Sequence, residues 1–398
     1  MNPRAAHQFV AAMSVAAATL SSSAEAQCDG VWVQRNPPEP SPTPRSHHAM
    51  AFDAARGVVV LFGGTGPKGF LDDTWEWDGS VWTEVTPPAG PDSSPTPRFG
   101  HAMVYDPIRH RIVLFGGIDG PYRADTWEWD GAQWIPVATT SASERAYHGM
   151  AYDIVGARTI LLDGFHNQSG AIDDMWEWDE AMAVWNPIGG LRPGVRANFG
   201  MTHCSATGTV FAVGGSAPGG QARNDVWEWN GVAWNNIEPQ PPGVAPEARL
   251  MHVLVDSPPC QGVLLFGGTS QSASRHGDLW LWNGTAWSQL DPGSPSPVAR
   301  NRSAAAFDSA RGRVVLFGGS ADEMGVDVDL GDTWEWISPP PTPCPDLSGD
   351  GTVGFADVLE VLAQWGPANE GGDADGDGDS DFNDILLILA TWGQVCPD

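Results

Sequence analysis

Along most of the chain a stretch that alternates large with small residues is followed by an unbroken apolar run, and the run ends at a glycine pair. In His48 to Asp53 (His-Ala-Met-Ala-Phe-Asp) and His101 to Asp106 (His-Ala-Met-Val-Tyr-Asp) the alternation has period two. That predicts a strand whose two faces meet different surroundings, and small residues on one face suit a crowded inner strand. The apolar runs Val58 to Phe62 and Ile112 to Phe115 predict a second strand covered on both faces. Gly63-Gly64 and Gly116-Gly117 follow them, allowing a backbone turn that Cβ atoms would obstruct. Thr-Trp-Glu-Trp (Thr74 to Trp77) predicts a third strand, closed by the hairpin signal Asp78-Gly79. A fourth strand carries one more tryptophan: Trp82, Trp134, Trp185, Trp234 and Trp287 in successive units.

The unit recurs six times, marked by Trp75/Trp77, Trp127/Trp129, Trp176/Trp178, Trp227/Trp229, Trp280/Trp282 and Trp334/Trp336, spaced 52, 49, 51, 53 and 54 residues apart. A repeat near 50 residues with short strands and a diglycine resembles the kelch repeat. The resemblance covers residues 28 to 338 and implies a mainly β, six-bladed propeller, since one blade cannot bury both its faces. The sixth unit stops after Trp336 without a fourth strand, while Asp29-Gly30-Val31-Trp32 matches Asp78 to Trp82 with one residue fewer. The N-terminal strand is therefore expected to close the last blade and remove two open sheet edges. Two units depart from the pattern: the third reads Asp163-Gly164-Phe165, and the fourth has Phe199 where His48, His101, His148 and His252 stand elsewhere. The loops after the diglycines (65–72, 118–124, 320–331) vary most, and variable loops on a rigid scaffold normally carry binding surfaces.

Residues 1–26 hold Arg4, an apolar stretch from Phe9 to Leu20 and Ala24-Glu25-Ala26, the pattern of a secretory signal peptide. The expected order is this signal, a propeller over 27–338, a Pro-rich linker over 339–343 and a small module over 344–398, with the mature protein secreted or at the cell surface. A net charge of −29, with Lys68 the only lysine, argues against nucleic acid and anionic lipid as partners. Five cysteines without a C-x-x-C pair suggest disulfides in an exported chain rather than zinc or thiol redox chemistry.

An arginine opens each unit (Arg45, Arg98, Arg145, Arg196, Arg249, Arg300) and an aspartate precedes each tryptophan pair (Asp73, Asp125, Asp174, Asp225, Asp278, Asp332). The arginines form either a possible ligand face at the channel mouth or an Arg–Asp lattice inside the blades; sixfold recurrence favours the lattice. Glu76, Glu128, Glu177, Glu228 and Glu335 recur one per blade, which suits structure rather than a glycosidase carboxylate pair. The first-strand histidines are expected to be hydrogen-bonded core residues. No nucleophile elbow, phosphate loop or metalloprotease helix is present, and the four tyrosines do not suggest the two-tyrosine copper site known among kelch-type oxidases. The expectation is a protein without catalytic residues.

Asp346 to Asp357 and Asp373 to Asp384 are twelve-residue stretches with oxygen side chains at positions 1, 3 and 5, glycine at 6 and carboxylate at 12. That is the EF-hand calcium-loop arrangement. Each leads into an apolar helical pattern: Val358, Leu359, Leu362, Trp365 and Ile385, Leu386, Leu389, Trp392. The pair resembles a bacterial dockerin module over 345–393. By that resemblance Asp346, Ser348, Asp350, Thr352 (carbonyl) and Asp357 hold one calcium ion, and Asp373, Asp375, Asp377, Asp379 (carbonyl) and Asp384 a second. Positions 10 and 11, small hydroxyl residues in many cohesin-binding dockerins, are here Phe355-Ala356 and Phe382-Asn383. Cys344 and Cys396 bracket the module, each before Pro-Asp, and are expected to pair. The resulting expectation is an exported, non-catalytic binding or display protein. Its propeller would take a glycan or an extracellular protein, and its tail a cohesin-like or cell-surface partner. The rival is an enzyme or accessory protein of polysaccharide breakdown, the company dockerins keep.

Overall fold

The computed structural model describes residues 28, 30–88, 93–137, 142–168, 170–291 and 293–338, and towards the C-terminus 347–348, 352–364, 366–367, 379–380, 384–385 and 388–389. The expected signal peptide, Asp29, the 339–343 linker, Cys344, Cys396, and the loop aspartates Asp346, Asp350, Asp373, Asp375 and Asp377 lie outside them. The chain divides into a unit spanning Cys28–Pro339 and a second that contains Pro340–Asp398.

The larger unit is a propeller of six four-stranded antiparallel sheets. In blade 1 the strands are Ala49–Asp53, Val58–Gly66, Gly69–Trp77 and Trp82–Glu84, bonded in chain order. The first strands of neighbouring blades touch around the axis, which is why Ala49 and Ala51 are small. The second strands are enclosed; Val59 to Phe62 and Ile112 to Phe115 expose no surface. Cores form between blades rather than within them: Val60 and Phe62 of blade 1 pack with Met103, Ile112, Leu114 and Trp129 of blade 2. Within each blade the last tryptophan of Trp-x-Trp packs on the fourth-strand tryptophan, as in Trp77–Trp82 at 5.4 Å and Trp282–Trp287 at 5.2 Å between ring centroids. Fourth-strand indoles also tie blades together, Trp134 Nε1 donating to Thr74 Oγ1 at 3.0 Å and Trp185 Nε1 to Thr126 Oγ1 at 3.0 Å.

Blade 6 closes as the sequence predicts. Val31–Arg35 lies antiparallel to Thr333–Ile337, with Trp32 opposite Trp336. Trp32 is buried and supplies the missing sixth tryptophan contact, 5.5 Å from Trp336. A Cβ on Gly30 would fall 2.3 Å from the Trp336 indole, so the chain can enter here only through glycine. A disulfide joins Cys28, at the head of this strand, to Cys260 of blade 5, and the remaining propeller cysteine, Cys204, is free and buried. That link was not legible in cysteine spacing.

In the second unit the described residues contain one complete helix, Phe355–Ala363, where the first loop leads into its apolar pattern. Positions 384–385 and 388–389 are helical in backbone. Val353, Val361 and Ile388 form a small core, while Phe355, Leu359, Leu362 and Leu389 are exposed. No helix among the described residues is long and apolar enough to cross a membrane.

Candidate functional site

The six unit-opening arginines are at most 2 % exposed. Each forks onto its blade's aspartate: Arg45 Nη1 and Nη2 donate to Asp73 at 2.6 and 2.7 Å, Arg98 to Asp125 at 2.7 and 2.8 Å, Arg300 to Asp332 at 2.7 Å twice. Arg145–Asp174, Arg196–Asp225 and Arg249–Asp278 repeat the arrangement. Nη1 also reaches the carbonyl just after the apolar run, as in Arg98 to Gly116 at 3.0 Å. Nε reaches a carbonyl two residues upstream, as in Arg98 to Thr96 at 3.1 Å. Burial acts to raise the carboxyls of Asp73, Asp125, Asp278 and Asp332, but the arginines hold them below the ordinary value. Arg45, Arg98, Arg145, Arg196, Arg249 and Arg300 therefore do not form a ligand face: their donors are already committed inside the blades. The recurrent glutamates are equally engaged, Glu128 with Arg109 at 2.6 Å, Glu335 with Arg35 at 2.6 Å and Arg313 at 2.8 Å, Glu76 with Arg56, Glu177 with Arg158, and Glu228 with the Thr209 hydroxyl.

Two residues past each arginine the chain turns left-handed. His47, Gly100, Tyr147, Asn198, Met251 and Arg302 have φ of 55°, 67°, 59°, 57°, 58° and 59°. Such a backbone costs a non-glycine residue roughly 1–2 kcal/mol. A closed circle of hydrogen bonds offsets the cost. The N–H of His47 donates to the Arg302 carbonyl at 2.9 Å, Gly100 to His47 at 3.1 Å, Tyr147 to Gly100 at 2.8 Å, Asn198 to Tyr147 at 2.9 Å, Met251 to Asn198 at 2.8 Å and Arg302 to Met251 at 3.0 Å. One residue from each blade thus meets at the channel mouth, over a cavity of about 160 Å³.

The sixfold backbone carries five unlike side chains and one glycine, so the mouth is polarised. Over blades 1 to 3 it is aromatic: Phe99 lies 4.9 Å from Phe70, 5.6 Å from His47 and 6.3 Å from Tyr147, and Tyr122 lies 5.2 Å from His166. Across the channel Arg302 reaches Asp327 at 3.2 Å, and Arg275 pairs with the same carboxylate. Burial, then Arg302, push His47 down to about 3, while burial and Tyr122 push Tyr147 up to about 12. Both stay uncharged at ordinary pH. Sequence reasoning missed this ring because its members share no chemistry. The available signal was that very difference: in the column between the recurrent arginine and the usual histidine, every unit has another residue.

His48, His101, His148 and His252 come next and line the cavity floor. They are buried, as expected, but among the described residues their ring nitrogens lack well-formed hydrogen bonds. His48, His101 and His148 pack edge-on against a phenylalanine of the neighbouring blade, as in His101 on Phe62 at 5.4 Å. Burial, then Arg98 and Arg249 respectively, push His101 and His252 down to about 3; burial and neighbouring arginines hold His48 and His148 well below the usual value. Unfolded histidine takes up its proton near pH 6.5 and these rings do not. Their stabilising share is therefore complete above pH 6.5 and lost on acidification towards pH 3, by about 1.4 kcal/mol per pH unit for each ring. Urea unfolding of His101→Gln against the unaltered protein should show a stability difference that shrinks by that amount per unit from pH 6.5 to 4; a pH-independent difference would count against neutral burial. Among the described residues no three His, Cys, Asp or Glu side chains are placed to share a metal ion.

The KLHDC2/KLHL20/DRC7 Kelch-repeats domain matches residues 26–188. Among curated proteins, the chain is 27% identical over 291 residues to the dynein alpha chain, flagellar outer arm, of Chlamydomonas reinhardtii, covering 66% of this chain and 6% of that one. It is 27% identical over 242 residues to putative adagio-like protein 2 of Oryza sativa subsp. japonica, covering 53% and 37%. It is 31% identical over 136 residues to Mei4-dependent protein 6 of Schizosaccharomyces pombe, covering 30% and 19%. The chain thus spans well under half the length of these relatives. A solved structure titled "Structure of YjhT" aligns with TM-score 0.57 at 14% identity over 75% of this chain and 96% of that one, a likeness of fold.

Proposed function

We propose, with a six-bladed kelch-repeat propeller as the premise, that this is a non-catalytic binding protein whose ligand sits on the channel mouth. The carrying observation is the circle of left-handed residues, a rigid sixfold frame displaying His47, Tyr147, Asn198, Met251 and Arg302. Strained backbone held by its surroundings clusters where function requires it, and unlike side chains on equal positions suit an asymmetric ligand. The aromatic side offers stacking surface, and Arg302 with Arg275 shares one carboxylate, leaving donor capacity for a polar ligand group. A glycan and an extracellular protein segment both fit that chemistry. Screening the full chain on glycan and peptide arrays, with product analysis of every hit, should give binding without turnover. Hydrolysis or isomerisation of a hit would replace this reading with the enzymatic one.

Export is supported by the Cys28–Cys260 disulfide, which persists in oxidising compartments. For the tail we propose calcium binding and attachment to a partner. Its donor set is hard oxygen throughout, suited to calcium. Asp357, the position-12 carboxylate, is buried and folded over its own loop, accepting from Ser348 N at 2.9 Å and Gly354 N at 2.6 Å. Asp384, its counterpart, is buried too. Asp346, Ser348, Asp350, the Thr352 carbonyl and Asp357 would hold one ion, and Asp373, Asp375, Asp377, the Asp379 carbonyl and Asp384 the other. The exposed Phe355, Leu359 and Leu362, at helical spacing on one face, support a docking role for the helix. Calorimetric titration of the full chain should show two calcium ions taken up, and Asp346→Ala with Asp373→Ala should abolish most of that heat. No uptake by the unaltered chain would remove calcium from the account.

A further inference from the structure

The two departures from the repeat meet in one seam. In the other five blades the residue after the apolar run is glycine, and four of these, Gly63, Gly116, Gly214 and Gly318, face the histidine of the neighbouring blade; in blade 3 it is Asp163, and the next blade has Phe199 in the histidine's place. A Cβ at Gly116 would lie 2.6 Å from the Arg145 carbonyl and 3.1 Å from His148 Cε1, and at Gly214 2.9 Å from the Arg249 carbonyl and 3.0 Å from His252 Cε1. Asp163 brings not only a Cβ but a carboxyl into this position, with φ 52° and no exposed surface. Among the described residues neither carboxyl oxygen has a hydrogen-bond partner. Its backbone is held, N–H to the Asp174 carbonyl at 2.9 Å and carbonyl from Arg145 Nη1 at 3.0 Å, so the side chain cannot swing out without breaking the blade.

An unpaired carboxylate cannot be buried in such a place at tolerable cost, but a neutral carboxylic acid can. Burial raises its pKa, Arg196 opposes, Asp173 and Asp174 add to the rise, and Arg192 opposes, leaving it at about 8. The two cations are already taken, Arg196 by Asp225 at 2.8 Å and Arg192 by Asp173 at 2.8 Å. Arg196 stands two residues before Asn198, ahead of the strand Gly200–Cys204, and the Asn198 N–H closes the mouth circle onto Tyr147.

We infer that Asp163 is an alkaline trigger for the seam between blades 3 and 4: neutral, it stays buried in the seam, and on losing its proton it competes with Asp225 for Arg196 and loosens the mouth circle between Tyr147 and Asn198. The device is local to one seam, because no other blade has a titratable side chain at this position. It alters the mouth on one side only, so a ligand spanning the channel would be released by alkali.

Hydrogen exchange of the full chain, corrected for intrinsic rates, tests it between pH 6 and 9.5. Amides of 163–165 and 196–200 should lose protection by up to about tenfold per pH unit as the pH rises to the transition and level off above it, while the equivalent amides of 116–118 and 145–149 hold theirs. Asp163→Asn keeps the shape and tolerates the left-handed backbone but does not titrate, so its seam should stay closed throughout. Asp163→Gly, which restores the glycine pair of other blades, should do the same. Unchanged protection in the unaltered protein, or equal loss in either variant, would overturn the inference.

Discussion

Deleting residues 28–35 is expected to leave the propeller unable to fold stably. The segment supplies the fourth strand of blade 6, paired residue for residue from Val31 opposite Ile337 to Arg35 opposite Thr333. Losing a buried tryptophan such as Trp32 alone costs about 3–5 kcal/mol. The deletion also removes the Cys28–Cys260 link, which closes 232 residues of chain and contributes about 5 kcal/mol in the chain-entropy model. Against a typical total of about 5–15 kcal/mol, the two losses suffice. The Trp336 strand would then present an open edge, a template for aggregation. Calorimetry or solubility on expression checks the point. A truncated protein that melts at the unaltered temperature would refute closure by the N-terminal strand.

Arg98→Ala is expected to destabilise the protein by about 3–5 kcal/mol, because it strands Asp125 and the Gly116 and Thr96 carbonyls without their donor. Arg98→Lys should recover only part of this, since an ammonium keeps the charge but cannot fork onto both carboxylate oxygens while reaching two carbonyls. Asp125→Asn should also be costly, leaving a buried guanidinium without its counter-ion. Urea unfolding of the three variants measures these effects. Stability unchanged in Arg98→Ala would show that the lattice is not what holds the inner strand to its blade, and would return the arginines to consideration as a ligand surface.

Much of this fold is written locally. The period-two alternation, apolar run, diglycine and Trp-x-Trp each determine a strand or turn by short-range physics, so six copies disclose six blades. The short match between Gly30-Val31-Trp32 and the fourth strand foretold closure, because that strand needs its tryptophan wherever it comes from. The fate of the arginines followed from their recurrence beside equally recurrent aspartates. What stayed hidden depends on the closed ring. The mouth residues meet only because all six inner strands converge on one axis, and Cys28 reaches Cys260 only because the N-terminus returns beside blade 5. Asp163 and Phe199 stand out singly in the sequence, but only in three dimensions do their blades share a seam, where the Gly164 N–H donates to the Arg196 carbonyl.

The most direct test of the mouth as binding surface compares two pairs of substitutions at opposite ends of the channel. Tyr147→Ala with Arg302→Ala removes one side chain from each half of the mouth. Val155→Ser with Val232→Ser alters exposed turn residues on the other face, 70% and 82% accessible. Both should melt close to the unaltered protein, since none of the four side chains is in a core. For a ligand found on the arrays, titration should show affinity reduced at least about tenfold, or 1.4 kcal/mol, by the mouth pair and unchanged by the other. Full affinity in the mouth pair, or loss confined to Val155 and Val232, would contradict the account.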